Sequence, residues 1–291
     1  MRTHIAAALL GSALCLPVAA QTASPEASTA ATPEHLLTAN VGLFSSYRFR
    51  GIDQSFGKPA LQGGFDYAHA SGFYAGNWNS NVSSGAGFPD GNLEMDVYAG
   101  YKTALGDSGF GLDVGAIVYY YPGSEGKVLG TGARSGAVSN KELYLGTTWK
   151  FLSLKYFYSV DDYFALRGWD AAGTSTGKST KGTSYLDLSA SYDLGDGWGI
   201  NAHVGRLNLK NGYRGDYTDW KVGVTKDIGG WVFAASYIDT NAAGSCSGAS
   251  TYQFYCFTNK NAASASDTLE TGAHAKDAGR GIAVVSLSRT F

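Results

Sequence analysis

The chain has 291 residues and a formal net charge of −2 at pH 7, with 44% hydrophobic and only 16% charged residues. This balance excludes the basic surface that nucleic acid requires, so we expect no nucleic-acid partner. The sequence also has no phosphate loop, dinucleotide fingerprint or Cys/His zinc spacing, so we expect no cofactor, no metal and no enzymatic activity.

The first twenty residues have the pattern of a secretory signal peptide. A basic start at Arg2 is followed by the apolar stretch from Ile5 to Leu16, and small residues precede a predicted cleavage site after Ala20. Residues 21–35 are rich in small and polar types, which predicts a flexible periplasmic tether. No later stretch offers the roughly 20 consecutive apolar residues of a transmembrane helix.

The remainder, residues 36–291, is dominated by apolar and polar residues that alternate with a period of two, as in strands with two different faces. In "NLEMDVYAGYK", Leu93, Met95 and Val97 share one face, and Glu94 and Asp96 share the other. We predict twelve strands, at 38–52, 59–70, 73–82, 92–105, 110–121, 140–151, 153–161, 183–194, 198–208, 218–228, 231–240 and 280–291.

The predicted connections alternate in length. Tight turns follow the even-numbered strands, whereas longer polar loops follow the odd-numbered ones, the largest at 122–139, 162–182 and 241–279. This pattern is typical of an up-and-down antiparallel sheet. Because Tyr and Trp lie near the ends of the apolar face, we expect a closed transmembrane β-barrel with periplasmic termini, in the outer membrane of a Gram-negative bacterium.

The stretch "SSYRFRG" at 45–51 alternates aromatic residues with arginines. Within the first strand, we expect Tyr47 and Phe49 to face lipid and Arg48 and Arg50 to face the interior. The opposite phase would place each arginine in hydrocarbon, at roughly 2–4 kcal/mol near the midplane.

The strand phase places charges of both signs inside the barrel, and we interpret them as candidate pore-lining residues for a small polar solute. The alternative is an interior of salt bridges that mainly holds the barrel together. The basic candidates are Arg48, Arg50, Lys102, Lys150, Lys155 and Lys221, and the acidic ones are Asp66, Glu94, Asp96, Asp113, Glu142, Asp187, Asp193 and Asp227. Inward glycines are expected to leave room between them: Gly42, Gly64, Gly100, Gly115, Gly146, Gly205 and Gly223.

Three smaller motifs have alternative interpretations. Cys246 and Cys256 lie in one polar segment, and an oxidising compartment favours a disulfide over two free thiols. His69 and Ser71 are also compatible with the catalytic residues of a lipase, although an ordinary turn explains them more simply. The oxygen-rich stretches "FPDGN" at 88–92 and "DDYFALRGWD" at 161–170 admit Ca²⁺, although turn chemistry explains them as well.

The last predicted strand, "GIAVVSLSRTF", ends at Phe291. It resembles the terminal strand of Gram-negative outer-membrane proteins, in which a C-terminal Phe belongs to the assembly signal. This resemblance implies that the barrel assembly machinery is a partner, together with outer-membrane lipid.

A longer resemblance begins in the first strand. The stretch "NVGLFSSYRFRGIDQSFGKPALQGGFDYAHASGFYAGNWNSNV" resembles the signature of the proteobacterial TorF-type porin family, and the similarity continues through "LEMDVYAGYK" to "VVSLSRTF". The resemblance implies an outer-membrane β-barrel. It implies neither a transported solute nor catalytic residues.

We therefore expect a monomeric porin-like channel for the passive diffusion of small hydrophilic solutes or ions. Twelve strands enclose less space than the sixteen to eighteen of wide porins, so the bore should be narrow. Arg48 and Arg50 are expected to bias passage toward anions. The alternative is a non-conducting barrel with surface-binding loops, and the third hypothesis is an outer-membrane lipase.

Overall fold

The computed structural model describes residues 33–83, 91–124, 138–247, 249–258 and 275–291. Twelve antiparallel strands form a closed barrel in which each strand pairs with its neighbours in the chain. The strands are β1 His35–Phe44, β2 Ala60–His69, β3 Phe73–Asn81, β4 Leu93–Ala104, β5 Phe110–Tyr120, β6 Ser139–Trp149, β7 Leu152–Ser159, β8 Ser184–Gly195, β9 Trp198–Asn208, β10 Tyr217–Ile228, β11 Trp231–Thr240 and β12 Ile282–Thr290. The predicted all-β, up-and-down barrel of twelve strands is confirmed.

The barrel closes between its first and last strands. Leu43 of β1 lies opposite Leu287 of β12 in the register. Beyond β12, the backbone of Phe291 exchanges two hydrogen bonds with Ala39, at 3.1 and 2.8 Å. Because this seam pairs the backbone groups of β1 and β12, the sheet has no free edge.

The outward face is apolar all round the barrel. Leu37, Phe65, Leu145 and Val285 lie on four different strands, and each exposes more than half of its surface, between 57% and 70%. A soluble monomer rarely exposes so much continuous apolar surface, whereas a barrel in a bilayer requires it. In the part of the chain that the structure describes, no helix has the length and apolar character needed to cross a membrane.

Five short connections lie together at one end of the barrel, at 70–72, 105–109, 150–151, 196–197 and 229–230. This end is called the short-turn end below, and the opposite one the long-loop end. Lys150 is in one of these turns, and its Nζ atom lies 4.4 Å from the centroid of the Trp149 ring on the outward face. The prediction that Lys150 faces the interior is therefore wrong, because the chain reverses at that residue.

The first strand is shorter than predicted, because β1 ends at Phe44 and the chain then folds into the barrel. There Arg48–Phe49 pairs with Ile52–Asp53, which forms the inner hairpin, named here for residues 47–56. Its two loop residues, Arg50 and Gly51, have φ angles of 49° and 79°, as a type I′ turn requires.

The inner hairpin reverses the expected orientation of two aromatic residues. Tyr47 and Phe49 expose only 3% and 8% of their surface and lie inside the barrel. The prediction that they face lipid is wrong, because alternation continues through a hairpin as readily as through a spanning strand.

The loops at the long-loop end form a packed layer. It contains the 3₁₀ turn Tyr163–Ala165 and two small sheets, one of Arg167–Trp169 with Ser175–Ser179 and one of Cys256–Thr258 with Ala275–Asp277. Trp169 stacks on Phe254 with ring centroids 4.3 Å apart, and Cys246 is joined to Cys256 by a disulfide. The signal peptide, the tether up to residue 32, and residues 88–90, 125–137 and 259–274 of the predicted loops lie outside the described residues.

Candidate functional site

The inner hairpin fills the barrel interior at the long-loop end. The ring of Tyr47 meets Trp78 of β3 edge-on at 5.3 Å. Phe49 meets Tyr119 of β5 at 5.3 Å and Phe164 of the 3₁₀ turn at 5.8 Å. The hairpin is therefore held between the barrel wall and the loop layer by aromatic contacts.

A bidentate ion pair attaches the hairpin to the wall. The two terminal nitrogens of Arg50 lie 3.0 and 2.7 Å from the two carboxylate oxygens of Glu142 on β6. The guanidinium also lies 4.3 Å from the centroid of the Tyr185 ring. Asn140 and Ser159 donate further hydrogen bonds to Glu142. A buried pair needs such additional donors to offset the loss of hydration.

The 3₁₀ turn places the hydroxyl group of Tyr163 beside the Arg50–Glu142 ion pair. The hydroxyl of Tyr163 lies 3.4 Å from an Arg50 nitrogen. Burial raises the pKa of Tyr163 to about 12, so the phenol keeps its proton at neutral pH.

Arg48 connects the hairpin to the other end of the chain. Its NH1 atom donates to the carbonyl oxygen of Ala278 at 2.7 Å, and the backbone N–H of Asp53 donates to the same oxygen at 2.9 Å. Its NH2 atom lies 3.8 Å from the Asp53 carboxylate. The hairpin is thus fixed to the segment that leads into β12.

Two acidic residues of β4, Glu94 and Asp96, are buried inside the barrel. Glu94 accepts a hydrogen bond from the Tyr47 hydroxyl at 3.0 Å. Both carboxylate oxygens of Asp96 are buried and accept no hydrogen bond from the described residues. Because an unpaired buried carboxylate is unfavourable, Asp96 marks an electrostatically costly position in this wall.

Tyrosine rings occupy the space that the inward glycines were expected to leave open. A Cβ atom at Gly100 or Gly115 would lie 2.4 Å from the hydroxyl of Tyr74 or Tyr144, each on a neighbouring strand. Tyr98 covers Gly76 and Tyr185 covers Gly205 in the same way. The prediction of free room is therefore wrong at Gly100, Gly115 and Gly205, where a glycine is needed because a ring lies across it.

Below the hairpin, a polar network joins these tyrosines to the predicted charges. The Lys155 ammonium lies 2.8 Å from Asp113, which also accepts from the Tyr74 hydroxyl at 2.6 Å. Lys102 lies over the ring of Tyr74 at 4.5 Å. Asp66 accepts a short hydrogen bond from Tyr98. These predicted charges are brought together as salt bridges and Tyr–carboxylate pairs.

A histidine missed in the sequence joins two further carboxylates. His203 on β9 lies 2.9 Å from Asp187 and 2.8 Å from Asp219. Tyr185 also donates to Asp219. The predicted alternation of the strands already placed His203 and the interior tyrosines on the inward face. That alternation was the sequence signal from which they could have been identified as lining residues.

The predicted pore-lining residues divide into three groups. Arg48, Arg50, Glu94, Asp96, Asp113, Glu142, Lys155 and Asp187 are buried inside the barrel. Asp66, Lys102 and Lys221 face the interior and are half-buried. Asp193 and Asp227 lie at the short-turn end, where each carboxylate accepts from the backbone N–H of a turn glycine.

One side of the interior is lined by short side chains rather than by rings. A Cβ atom at Gly223 of β10 would meet the polar ends of Ser236 and Asn201. These residues and Lys221 are only half-buried although they face inward. The interior beside β9–β11 is therefore less tightly packed than the part around the inner hairpin.

The two remaining motifs belong to the loop layer and to a short turn. In "DDYFALRGWD", Asp161 pairs with Lys141 at 3.3 Å, Asp162 pairs with Arg167 at 3.3 Å, and Asp170 accepts from backbone N–H groups. These oxygens meet cationic side chains and N–H donors, which a Ca²⁺ site does not do. The Ser71 hydroxyl lies 2.6 Å from His69 Nδ1, but the Ser71 backbone N–H approaches the same nitrogen at 3.1 Å, as in a local turn.

A closed antiparallel barrel with an apolar outer belt and a polar interior defines the class of membrane-type β-barrel proteins. The chain belongs to the family described as "Bacterial protein of unknown function (Gcw_chp)", whose model matches residues 27–267. Membership in the TorF-type porin family specifically stays a prediction. No curated protein matches the sequence.

Several solved structures are similar to the chain at low identity. The NanC porin is 12% identical, with 88% of this chain and 99% of that chain covered and a TM-score of 0.49. The KdgM porin is 10% identical, with 88% and 97% covered and a TM-score of 0.44. The toluene transporter TodX of P. putida is 13% identical, with 90% and 91% covered and a TM-score of 0.40.

Proposed function

We propose that the protein is a porin-type channel of the Gram-negative outer membrane, through which small hydrophilic solutes or ions diffuse passively. Three features support the proposal: a closed barrel without edges, an apolar outward belt and an interior lined by charges of both signs. A monomer is sufficient, because the interior is enclosed by a single chain.

The observation that carries the proposal is the ion pair between Arg50 and Glu142. It joins a hairpin inside the barrel to the wall through two charged groups rather than through a continuous strand. We infer that the inner hairpin is the constriction of the channel. Passage is then limited at the long-loop end and is less restricted toward the short-turn end.

The pairing also changes what the arginines are expected to do. Arg50 is neutralised by Glu142, and Arg48 lies beside Asp53 at 3.8 Å. Two arginines without partners would favour anions strongly, whereas paired ones present little net field. We therefore propose weak ion selectivity, with anion preference appearing only when the pairing is broken.

Single-channel recording in planar bilayers tests this function. The full chain, Arg50→Gln, Glu142→Gln and the double variant are each reconstituted after a gel-shift check that the barrel is folded. We expect small steps from the wild type and larger or more frequent steps from each single variant. The double variant should add little, because either change alone releases the same contact.

The matched control is Arg206→Gln. Arg206 is an exposed arginine of β9, 3.9 Å from Asp216. Its loss should leave step size and frequency unchanged. Silence from wild type and all variants, in folded barrels, would overturn the channel function.

The second candidate is a non-conducting barrel whose loops bind a molecule outside the cell. The packed loop layer favours it, because Trp169 and Phe254 stack above the barrel and a disulfide pins the adjoining segment. If neither the wild type nor the variants that lack the Arg50–Glu142 pair give current steps in the recordings, this candidate is the better supported one.

A further inference from the structure

Three side chains with metal-binding groups converge at the short-turn end, on the outward side of the barrel. His35 begins β1 and lies directly opposite His69, which ends β2. Glu34 precedes β1, and its carbonyl oxygen accepts a hydrogen bond from the backbone N–H of Ala70 at 2.9 Å. One potential ligand atom from each of Glu34, His35 and His69 lies within 4.8 Å of the other two.

Each imidazole is oriented by a hydroxyl group on one ring nitrogen. His35 Nδ1 lies 2.8 Å from the Tyr67 hydroxyl, and His69 Nδ1 lies 2.6 Å from the Ser71 hydroxyl. This leaves Nε2 of each ring for another partner, and His69 Nε2 is 3.6 Å from a carboxylate oxygen of Glu34. Metal-binding histidines have this arrangement, with one nitrogen on the metal and the other hydrogen-bonded to a second group.

We propose that Glu34, His35 and His69 form a binding site for a divalent transition metal, with Zn²⁺ as the ion that fits best. Two imidazole nitrogens and one carboxylate oxygen are a known zinc ligand set, and a water molecule completes the tetrahedron. The same ligands accept Ni²⁺ and Cu²⁺, whereas Mg²⁺ and Ca²⁺ prefer sites made of oxygen alone.

Binding requires one rearrangement of hydrogen bonds. In the metal-free protein, the Ser71 backbone N–H approaches His69 Nδ1 at 3.1 Å, so this nitrogen accepts and the ring proton is on Nε2. When Nε2 binds the metal, the ring proton is on Nδ1 and is donated to the Ser71 hydroxyl oxygen, and the Ser71 backbone N–H gives up this nitrogen as its acceptor. The number of protons on the ring does not change.

The site is accessible from solution and joins separate parts of the chain. The Glu34 side chain is 74% exposed and that of His69 is 29% exposed. A bound ion connects the segment before β1 to the turn after β2. This role is independent of the channel, because the three residues lie outside the barrel interior.

Isothermal titration of Zn²⁺ into the chelator-treated full chain in detergent micelles tests the proposal. We expect one site in the wild type, with affinity lowered at least tenfold by His35→Ala, His69→Ala or Glu34→Gln. Glu34 precedes the first strand, so Glu34→Gln remains informative if a histidine variant does not fold. Binding should weaken as pH falls, since protons compete for the imidazoles.

Two tyrosine variants separate a metal site from general surface binding. Tyr67→Phe removes the hydroxyl that orients His35 and should weaken binding by about 10- to 100-fold, as removal of such partners does. Tyr192→Phe changes an exposed tyrosine of β8 and should have no effect. Absence of binding at tens of micromolar Zn²⁺, or equal affinity in the wild type and the Glu34 and His69 variants, overturns the proposal.

Discussion

Arg50 and Glu142 are 92 residues apart in the chain, yet they meet through two hydrogen bonds of 3.0 and 2.7 Å. One residue belongs to the turn of the inner hairpin and the other to the wall. The contact therefore helps to hold the hairpin against the wall and pairs two buried charges inside the barrel.

Substitution of Glu142 and substitution of Arg50 should shift the ion selectivity in opposite directions. In Glu142→Gln the Arg50 cation is left unpaired, and the channel should prefer anions; in Arg50→Gln the carboxylate is left, and it should prefer cations. Reversal potentials in a KCl gradient measure both. Shifts of the same sign in the two variants would contradict a charge-based constriction, and Arg206→Gln should show no shift.

Lys155→Met should destabilise the barrel strongly. The substitution leaves the buried Asp113 without its cation, at a cost of about 3–5 kcal/mol. The double variant Lys155→Met with Asp113→Asn should recover much of that loss, because no charge is left unpaired. Urea unfolding of the refolded protein in micelles gives the free energies, and a Lys155→Met protein as stable as wild type would show that the ion pair contributes little.

Gly205→Ala should also destabilise the barrel, by about 1–3 kcal/mol, because an added methyl group meets a packed ring. The ideal Cβ position lies 2.4 Å from Cζ of Tyr185. Combining it with Tyr185→Ala, which removes that ring, should cost less than the sum of the two single changes. Strict additivity in thermal unfolding would indicate that the ring does not restrict this glycine.

The disulfide between Cys246 and Cys256 should hold the loop layer rather than the barrel. We expect Cys246→Ser with Cys256→Ser to retain a folded barrel by gel shift but to be cleaved faster by proteinase K within 241–258. Mass spectrometry of unreduced peptides from the wild type should find the two cysteines linked. Two thiols that react with an alkylating agent in the exported protein would refute the bond.

The strands and turns were predictable because their signals are local. Alternation with a period of two defines a strand, and glycine pairs such as Gly229 and Gly230 define a reversal. The end of β1 was missed for the same reason, since Tyr47, Arg48 and Phe49 keep the period of a strand. Gly51, the second residue of the type I′ turn, was the local signal that the chain reverses.

The pairing of the interior charges was not predictable, because it depends on contacts between distant segments. The phase of β6 places Glu142 inward, but only the folded hairpin brings Arg50 to it. The interior tyrosines were overlooked because the lining candidates were chosen by their charge, although the strand phase placed these rings inward. Tyr74 and Tyr144 instead lie over glycines of adjacent strands, where each hydroxyl finds a polar partner.

The contact of Arg48 with Ala278 spans 230 positions of the chain. The acceptor lies just before β12, so this one contact needs the last part of the chain, whereas the contacts of the hairpin with Trp78, Tyr119 and Glu142 involve earlier strands. The hairpin therefore links the segment after β1 to the segment before β12, next to the two strands that close the barrel. The closure of the barrel thus has a side-chain link on its inner side, in addition to the backbone pairing of β1 with β12.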